Sequence, residues 1–130
     1  MAAEVIVNDC GAPARILPFV SAATGSAGDP IVLDTAGKTA ACQAGFQVAG
    51  VLLTDVDAVG DLANVVMGHG CILKVKCKAD VTVGELLMSG AARLDGAAND
   101  ANAGDSDEVV AVCLEAGDTS SDLPVKVLML

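Results

Sequence analysis

Turn-forming residues punctuate the whole chain, and this regular interruption limits the fold more than any other feature. Clusters of Gly, Asp, Asn and Ser recur about every ten residues and separate short apolar runs. No window carries a sustained apolar stripe with the 3.6-residue period of a helix. This spacing is typical of β-sandwiches and β-barrels, so the sequence predicts an all-β domain.

The clearest predicted strand is CILKVKCK, residues 71–78. Cys71, Leu73, Val75 and Cys77 alternate there with Ile72 and three lysines, which predicts one buried face and one mostly cationic face. The other predicted strands cover residues 4–7, 15–20, 30–33, 47–54, 63–67, 85–88, 108–115 and 124–130.

Several of these runs, such as IVL at 31–33 and VVAVCL at 109–114, are apolar on both faces. A sheet with one face in water does not tolerate such strands, because alternate side chains point to opposite faces. They favour a small closed β-barrel or a buried interface between subunits.

A weak internal repeat indicates two similar halves. Residues 28–40 align with residues 84–96 at an offset of 56, and each segment has Gly, an acid or acidic turn, and a short apolar strand. Residues 48–67 align with residues 110–129 at an offset of 62 and share the pattern strand, acidic turn, strand. Chance similarity and true duplication both remain open for a sequence so rich in Ala, Val and Leu. If the duplication is real, two pseudo-repeats form one fold.

Two segments of the chain are predicted to be its least ordered parts. Residues 1–14 contain NDCGAP and Pro13, which disfavour regular structure, so we expect a flexible N-terminal arm followed by a single β domain over residues 15–130. Residues 95–108 carry small and acidic residues without an apolar anchor and predict a surface loop.

Charge and composition exclude two classes of partner. With 17 acidic and 7 basic residues the formal charge is −10, and the chain has two Phe and no Trp or Tyr. A negative surface repels the phosphate backbone and few rings are present to stack on bases, so we expect no nucleic-acid partner. The longest uncharged run, residues 39–54, is broken by Gln and Gly and is too short for a spanning helix, so we expect no membrane partner either.

The chemistry-bearing residues do not combine into a recognised site. DTAGKT, residues 34–39, lacks the preceding Gly of a phosphate loop, and residues 100–111 depart from the calcium-loop pattern. His69, Cys71 and Cys77 share one predicted face, but Cys71 and Cys77 would lie ~20 Å apart on an extended strand, too far to share a zinc ion. We therefore predict no enzyme activity, no metal and no cofactor. The five cysteines, at 10, 42, 71, 77 and 113, are expected to be reduced core residues.

One cluster is unusual for so acidic a chain. Lys74, Lys76 and Lys78 follow one face of the predicted strand at 71–78. Lysines on an edge strand protect it against aggregation, and the same three charges would also suit an interface with an acidic partner. Both interpretations remain open at this point.

Four strings carry a resemblance to a known family. They are SAATGSAGDPIVL, VAGVLLTDVDAVGDLANVVMGHG, ADVTVGELLMSGAARL and VVAVCLEAGDTSSDLPVKVLML, which together span residues 21–130. In their order and spacing they resemble the bacteriophage capsid decoration proteins, also called head-stabilising or cement proteins. The segment NDCGAPARILPF matches no motif of that family.

The resemblance implies a small β-barrel or tulip-like domain that binds the outer surface of an expanded phage capsid. It also implies partners, namely the major capsid protein and further copies of the same chain, commonly as a homo-trimer, with synthesis in the host cytoplasm and final location on the virion. Family members often bind through an N-terminal arm. An extended strand over Glu4, Val5, Ile6, Val7 and Asn8 would suit addition to a capsid sheet edge.

Two other functions share the same composition. A tail, baseplate or fibre-base module of a phage would also be a rigid β-structured assembly part. A small-molecule-binding β-barrel would need an apolar pocket, for which Phe19, Phe46 and the Met side chains are the candidate lining.

Overall fold

The computed structural model describes residues 5–8, 15–43, 47–67, 70–77, 81–90, 93–96, 109–116 and 124–130. This part of the chain is all-β, as predicted, and within it no helix is long and apolar enough to cross a membrane. The strands are β1 (Ile6–Asn8), β2 (Arg15–Val20), β3 (Pro30–Leu33), β4 (Thr39–Ala41), β5 (Gly50–Leu52), β6 (Leu62–Met67), β7 (Ile72–Val75), β8 (Leu86–Ser89), β9 (Leu94–Gly96), β10 (Val109–Cys113) and β11 (Val125–Met129).

The strands form two antiparallel sheets. One has the order β2-β6-β5-β3-β4, and the other has the order β1-β7-β11-β10-β8-β9. Apart from β1, the second sheet repeats the first, strand for strand, when β2 is matched with β7, β3 with β8, β4 with β9, β5 with β10 and β6 with β11. We call residues 15–67 the first half and residues 70–130 the second half.

The two halves also repeat the register of every strand pair. Leu17 faces Val65 on β6, and Leu73, 56 positions further along the chain than Leu17, faces Val127 on β11. The pairings β3–β4 and β3–β5 recur in the same way as β8–β9 and β8–β10. The correspondence is at an offset of 55 for β4 and β9 and of 61 for β5 and β10, one position less than the sequence alignment gave. The two similar halves are therefore confirmed, and the alignment is shifted by one residue at these two strands.

A turn before β3 and its counterpart before β8 repeat even their side-chain hydrogen bonds. The Ser26 N–H donates to Asp29 Oδ2 at 2.8 Å, and the Thr82 N–H donates to Glu85 Oε1 at 3.0 Å. Gly28 and Gly84 take the same position in these turns with φ of 94° and 85°, a backbone region that favours glycine. The shared Gly-acid pair in the sequence thus marks a shared turn.

The ends of each sheet meet at a single bridge and not along a continuous ladder. In the first half Ser21, directly after β2, makes an isolated parallel bridge to Thr39 on β4. In the second half Cys77, two residues beyond β7, makes the corresponding bridge to Leu94 on β9. The expected all-β fold is thus confirmed, but the described residues show no continuous ladder that closes a barrel.

Alternation of side chains places the two cores. On β7 the residues Leu73 and Val75 are fully buried while Ile72 and Lys74 are only partly covered, which confirms the alternation predicted for this strand. The larger core cluster fills the second half and also includes Ala27, Val51 and Val66 of the first half, so the two halves share it. A smaller cluster lies within the first half around Ile31 and Val65.

The sequence predicted most strands but missed two. The bounds of β2 and β3 agree with the prediction, whereas β4 and β9 were not predicted. Both have three residues and the sequences TAA and LDG, which carry no alternation and no run of β-branched residues. Each of them forms by pairing with a neighbouring strand, β4 with β3 and β9 with β8.

The described part of the N-terminal segment, residues 5–8, is paired with the second sheet. β1 pairs antiparallel with β7, the Lys74 N–H donates to the Val5 carbonyl at 2.7 Å, and Val5 is buried in the larger core cluster. The expectation of a flexible arm over residues 1–14 is therefore corrected for residues 5–8, because an apolar segment lies against the open edge of β7. Residues 1–4 and 9–14 lie outside the described residues.

Candidate interaction surface

The described residues contain no group of three or more His, Cys, Asp or Glu side chains that could hold a metal ion. Four cysteines are buried thiols, at 42, 71, 77 and 113. Burial raises the pKa of Cys42 from 9.0 to about 11 and that of Cys77 to about 12, so neither is a thiolate nucleophile at neutral pH.

The predicted lysine face separates into residues with different roles. Lys76 is tied within the chain, because its Nζ lies 3.0 Å from Asp29 Oδ1 and also donates to Ser26 Oγ. Lys74 faces Lys126 directly across β7 and β11, so two like charges stand side by side on the outer face. Lys78 lies outside the described residues. The acidic partner of Lys76 is thus part of its own chain, and the pair Lys74 and Lys126 is the positive part of this face.

The ion pair of Lys76 belongs to a contact between the two halves. The turn at 26–29 of the first half rests on the outer edge of β7, where the Lys76 N–H donates to the Gly28 carbonyl at 2.9 Å. A Cβ placed on Gly28 would lie 3.0 Å from Pro124 Cγ, so the turn and β11 are in close contact. Ala27, in the same turn, is only 5% exposed and belongs to the core cluster of the second half.

The outer edge of β2 is the most apolar exposed part of the described surface. Ile16 is 47% exposed and Val20 is 43% exposed, and Leu62, which faces Val20 from β6, is 67% exposed. Exposed apolar residues that lie together on one strand edge mark interaction surfaces more often than isolated ones do. We define these three residues as the β2 surface.

The backbone of β2 leaves hydrogen-bonding groups on this edge. The Leu53 N–H donates to the Asn64 carbonyl at 2.8 Å, so the backbone groups of Asn64 point toward β5 and away from Pro18, its neighbour on β2. By alternation, the backbone groups of Ile16, Pro18 and Val20 point outward. Pro18 has no N–H, and a proline within a strand is tolerated where that side faces away from the sheet.

A groove of about 500 Å³ lies between the two halves. Val48 and Met67 line it from the first half, and Val110 and Met129 line it from the second half. Phe19 is not part of this groove, because it packs against the core of the first half. Phe46, the other aromatic residue expected to line a pocket, lies outside the described residues.

Several other residues singled out in the sequence fall outside the described part. Glu4, Cys10, His69 and nearly all of the acidic segment at 95–108 are among them. The remaining residues of the predicted capsid-binding strand, Val5 to Asn8, lie at the end of the second sheet. Their role in capsid binding stays a prediction.

The chain matches no protein-family model and no curated protein sequence. Sequence reasoning missed the β2 surface, although RILPFV offered a signal: a proline inside an apolar run demotes the run to an edge strand, where its apolar side chains are exposed.

Proposed function

We propose that the protein is a structural component of a virion that binds the outer surface of an expanded phage capsid and stabilises the contacts between capsomers. The observation that carries this proposal is the outer side of β1, the last strand of the six-stranded sheet, to which a strand of a capsid protein could be added. A clamp of this kind acts by binding the intact lattice alone, which shifts the balance toward the intact state. The homo-trimer and the place on the virion belong to the same proposal.

The resemblance to decoration proteins supports this function, because its strings lie on strands in both halves. The strings SAATGSAGDPIVL and ADVTVGELLMSGAARL contain β3 and β8 with the turns before them, and VKVLML contains β11. The acidic surface supports it as well, since a charge of −10 keeps the free protein away from packaged nucleic acid and soluble before assembly.

The capsid contact that fits the predicted strand at residues 4–8 is addition to the free side of β1. β1 is the last strand of its sheet, and its other side pairs with β7. A strand of the major capsid protein would extend the six-stranded sheet there through backbone hydrogen bonds. β1 remains paired within its own chain in this arrangement.

The test is co-sedimentation of the purified protein with phage shells that lack it, before and after shell expansion. We expect saturable binding to expanded shells only. An Ile6→Pro variant would remove a backbone N–H from the outer side of β1, because the Val5 carbonyl points to β7 and successive residues point to opposite sides. Thr35→Pro, in the turn between β3 and β4, serves as the control. Binding to neither form of the shell would contradict the proposal and favour a tail, baseplate or fibre-base module.

The groove between the halves supports a second candidate, a small-molecule-binding β-barrel. Its lining by Val48, Met67, Val110 and Met129 would suit an apolar ligand. Native mass spectrometry of freshly purified protein tests this candidate, because a retained ligand adds a defined mass that disappears on denaturation. Protein with the mass of the bare chain under native conditions would reject it.

A further inference from the structure

The contact between the two halves of one chain is directional. The turn at 26–29 of the first half docks on the outer edge of β7 in the second half, through the Lys76 N–H, the Lys76 ammonium and Pro124. In this part of the contact the first half contributes a turn and the second half contributes a strand edge, beside the core cluster that Val51 and Val66 share with the second half.

The duplication identifies the counterparts of both surfaces. The counterpart of the turn at 26–29 is the turn at 82–85, and its Val83 takes the place of Ala27. On the strand edge the counterparts follow from the shared registers: Ile16, Val20 and Leu62 correspond to Ile72, Lys76 and Pro124.

The equivalents of the contacting residues are exposed to solvent, whereas the contacting residues themselves are covered by the other half of the chain. Val83 is 66% exposed but Ala27 is 5% exposed. Leu62 is exposed but Pro124 touches Gly28. Each chain therefore exposes the turn at 82–85 on its second half and the β2 surface on its first half, and neither makes the contact that its counterpart makes within the chain.

We propose that a second copy of this chain docks its turn at 82–85 on the β2 surface and so repeats between chains the contact that joins the two halves within a chain. The contact is head-to-tail, and copies linked in this way form a closed ring when the rotation between them closes. This inference does not rest on capsid binding, because it concerns the free chain alone.

A comparison of β2 with β7 shows that the turn of a second copy fits the edge of β2 better than an added strand would. On β7 the Lys74 N–H holds β1, but the corresponding residue on β2 is Pro18, which has no N–H to donate. The Val20 N–H points outward like the Lys76 N–H that binds Gly28, and Gly84 of the second copy supplies the matching carbonyl. Val83, Val20 and Leu62 would be removed from water together.

Sedimentation velocity over a range of protein concentrations tests the proposal. We expect reversible self-association that Val83→Asp and Leu62→Asp each weaken at least tenfold, because either places a charge in an apolar contact. Leu114→Asp, on an exposed leucine that is not a counterpart of the internal contact, is the control and should associate like the unchanged protein. Thermal melting checks that each variant folds.

A gain-of-association variant makes the test sharper. Val20→Lys places a lysine where the second half has Lys76, opposite Glu85 of the next copy, which is the counterpart of Asp29. We expect association roughly two- to fivefold tighter, the range of an exposed ion pair. Adding Glu85→Lys should abolish the gain, and Leu114→Lys controls for the change in net charge.

The opposite outcomes are distinct. A protein that stays monomeric at every concentration, or one whose association is unchanged by both Val83→Asp and Leu62→Asp, overturns the proposal. Weaker association of Val20→Lys also overturns it, because a lysine in an unrelated apolar interface would lack the acidic partner. Capsid binding can succeed or fail independently of each of these results.

Discussion

Leu17 and Leu73 occupy the same place in the two halves, each opposite a valine on the neighbouring strand. Leu73 is completely buried, yet Leu17 is 43% exposed. Their local sequences are also alike, since both follow an isoleucine. The difference therefore comes from what lies around each strand and not from its own pairing.

The surroundings differ at the outer edges. β7 is covered by β1 and by the turn at 26–29, whereas the described residues place neither a strand nor a turn along the middle of β2. A repeated register fixes which residues face inward, but the neighbouring segments decide how far they are buried.

The largest expected effect compares these two leucines directly. Leu73→Ala should lower the free energy of unfolding by about 2–5 kcal/mol, because it leaves a cavity in a closed core. Leu17→Ala should cost about 1 kcal/mol or less, since part of the side chain is already in water. Urea denaturation of both variants measures the difference, and equal losses would contradict the asymmetry between the halves.

The second prediction, of intermediate size, concerns a position that is glycine in the first half and alanine in the second. A Cβ on Gly50 would lie 2.5 Å from the Val66 carbonyl oxygen, whereas its counterpart in the second half is Ala111, which carries a Cβ without strain. Gly50→Ala should therefore cost about 1–3 kcal/mol in stability through overpacking against backbone. Gly37→Ala is the comparison at an open turn, where nothing lies within 4 Å and only the φ of 74° opposes the substitution.

Much of the fold could be predicted from the sequence because it depends on local patterns. The alternation in CILKVKCK gave the buried and exposed faces of β7 correctly, and the spacing of turn residues gave the fold class. The repeat could be recognised as well, since Gly28 and Gly84 mark equivalent turns and precede an acid in both halves. The short strands β4 and β9 could not be predicted, because their pairing comes from a partner strand.

The candidate site was less predictable because it depends on contacts between distant segments. The sequence placed three lysines on one face, but only the fold brings Lys76 to Asp29, 47 positions earlier in the chain. It also gave no sign that β1 would cover β7 and leave β2 open. Which of two equivalent edges is covered is a property of the tertiary arrangement, and no periodicity in β2 or β7 encodes it.

The buried thiols add a pH dependence that belongs mostly to the second half. Burial raises the pKa of Cys77 from 9.0 to about 12, and its counterpart in the first half is Ser21, which does not ionise in this range. A pKa that is higher in the folded state adds stability that is complete below pH 9 and is lost as the pH rises toward 12. Urea denaturation between pH 8 and 11 should show this decline.

Cys77→Ser is the matched variant for that measurement. Its hydroxyl stays neutral, so the stability of this variant should fall less steeply above pH 9 than that of the unchanged protein, whatever its value at pH 8. The same substitution makes the bridge residue of the second half identical to Ser21. Parallel pH curves for the two proteins would mean that Cys77 is not shielded from water.

The smallest expected effect concerns the ion pair between the halves. Lys76 and Asp29 are each about one-fifth exposed, so solvent weakens their attraction, and a double-mutant cycle with Lys76→Met and Asp29→Asn should give a coupling energy of about 0.5–1 kcal/mol. Lys126→Met with Asp29→Asn is the control cycle and should give a coupling near zero. Val20 takes the place of Lys76 in the first half. The coupling energy measured for Lys76 and Asp29 is therefore the gain that we expect when Val20→Lys forms the equivalent ion pair between two chains. A coupling of zero would mean that the hydrogen bond from the Lys76 N–H to Gly28 and the apolar contacts of Pro124 and of the shared core cluster hold the two halves together without the ion pair.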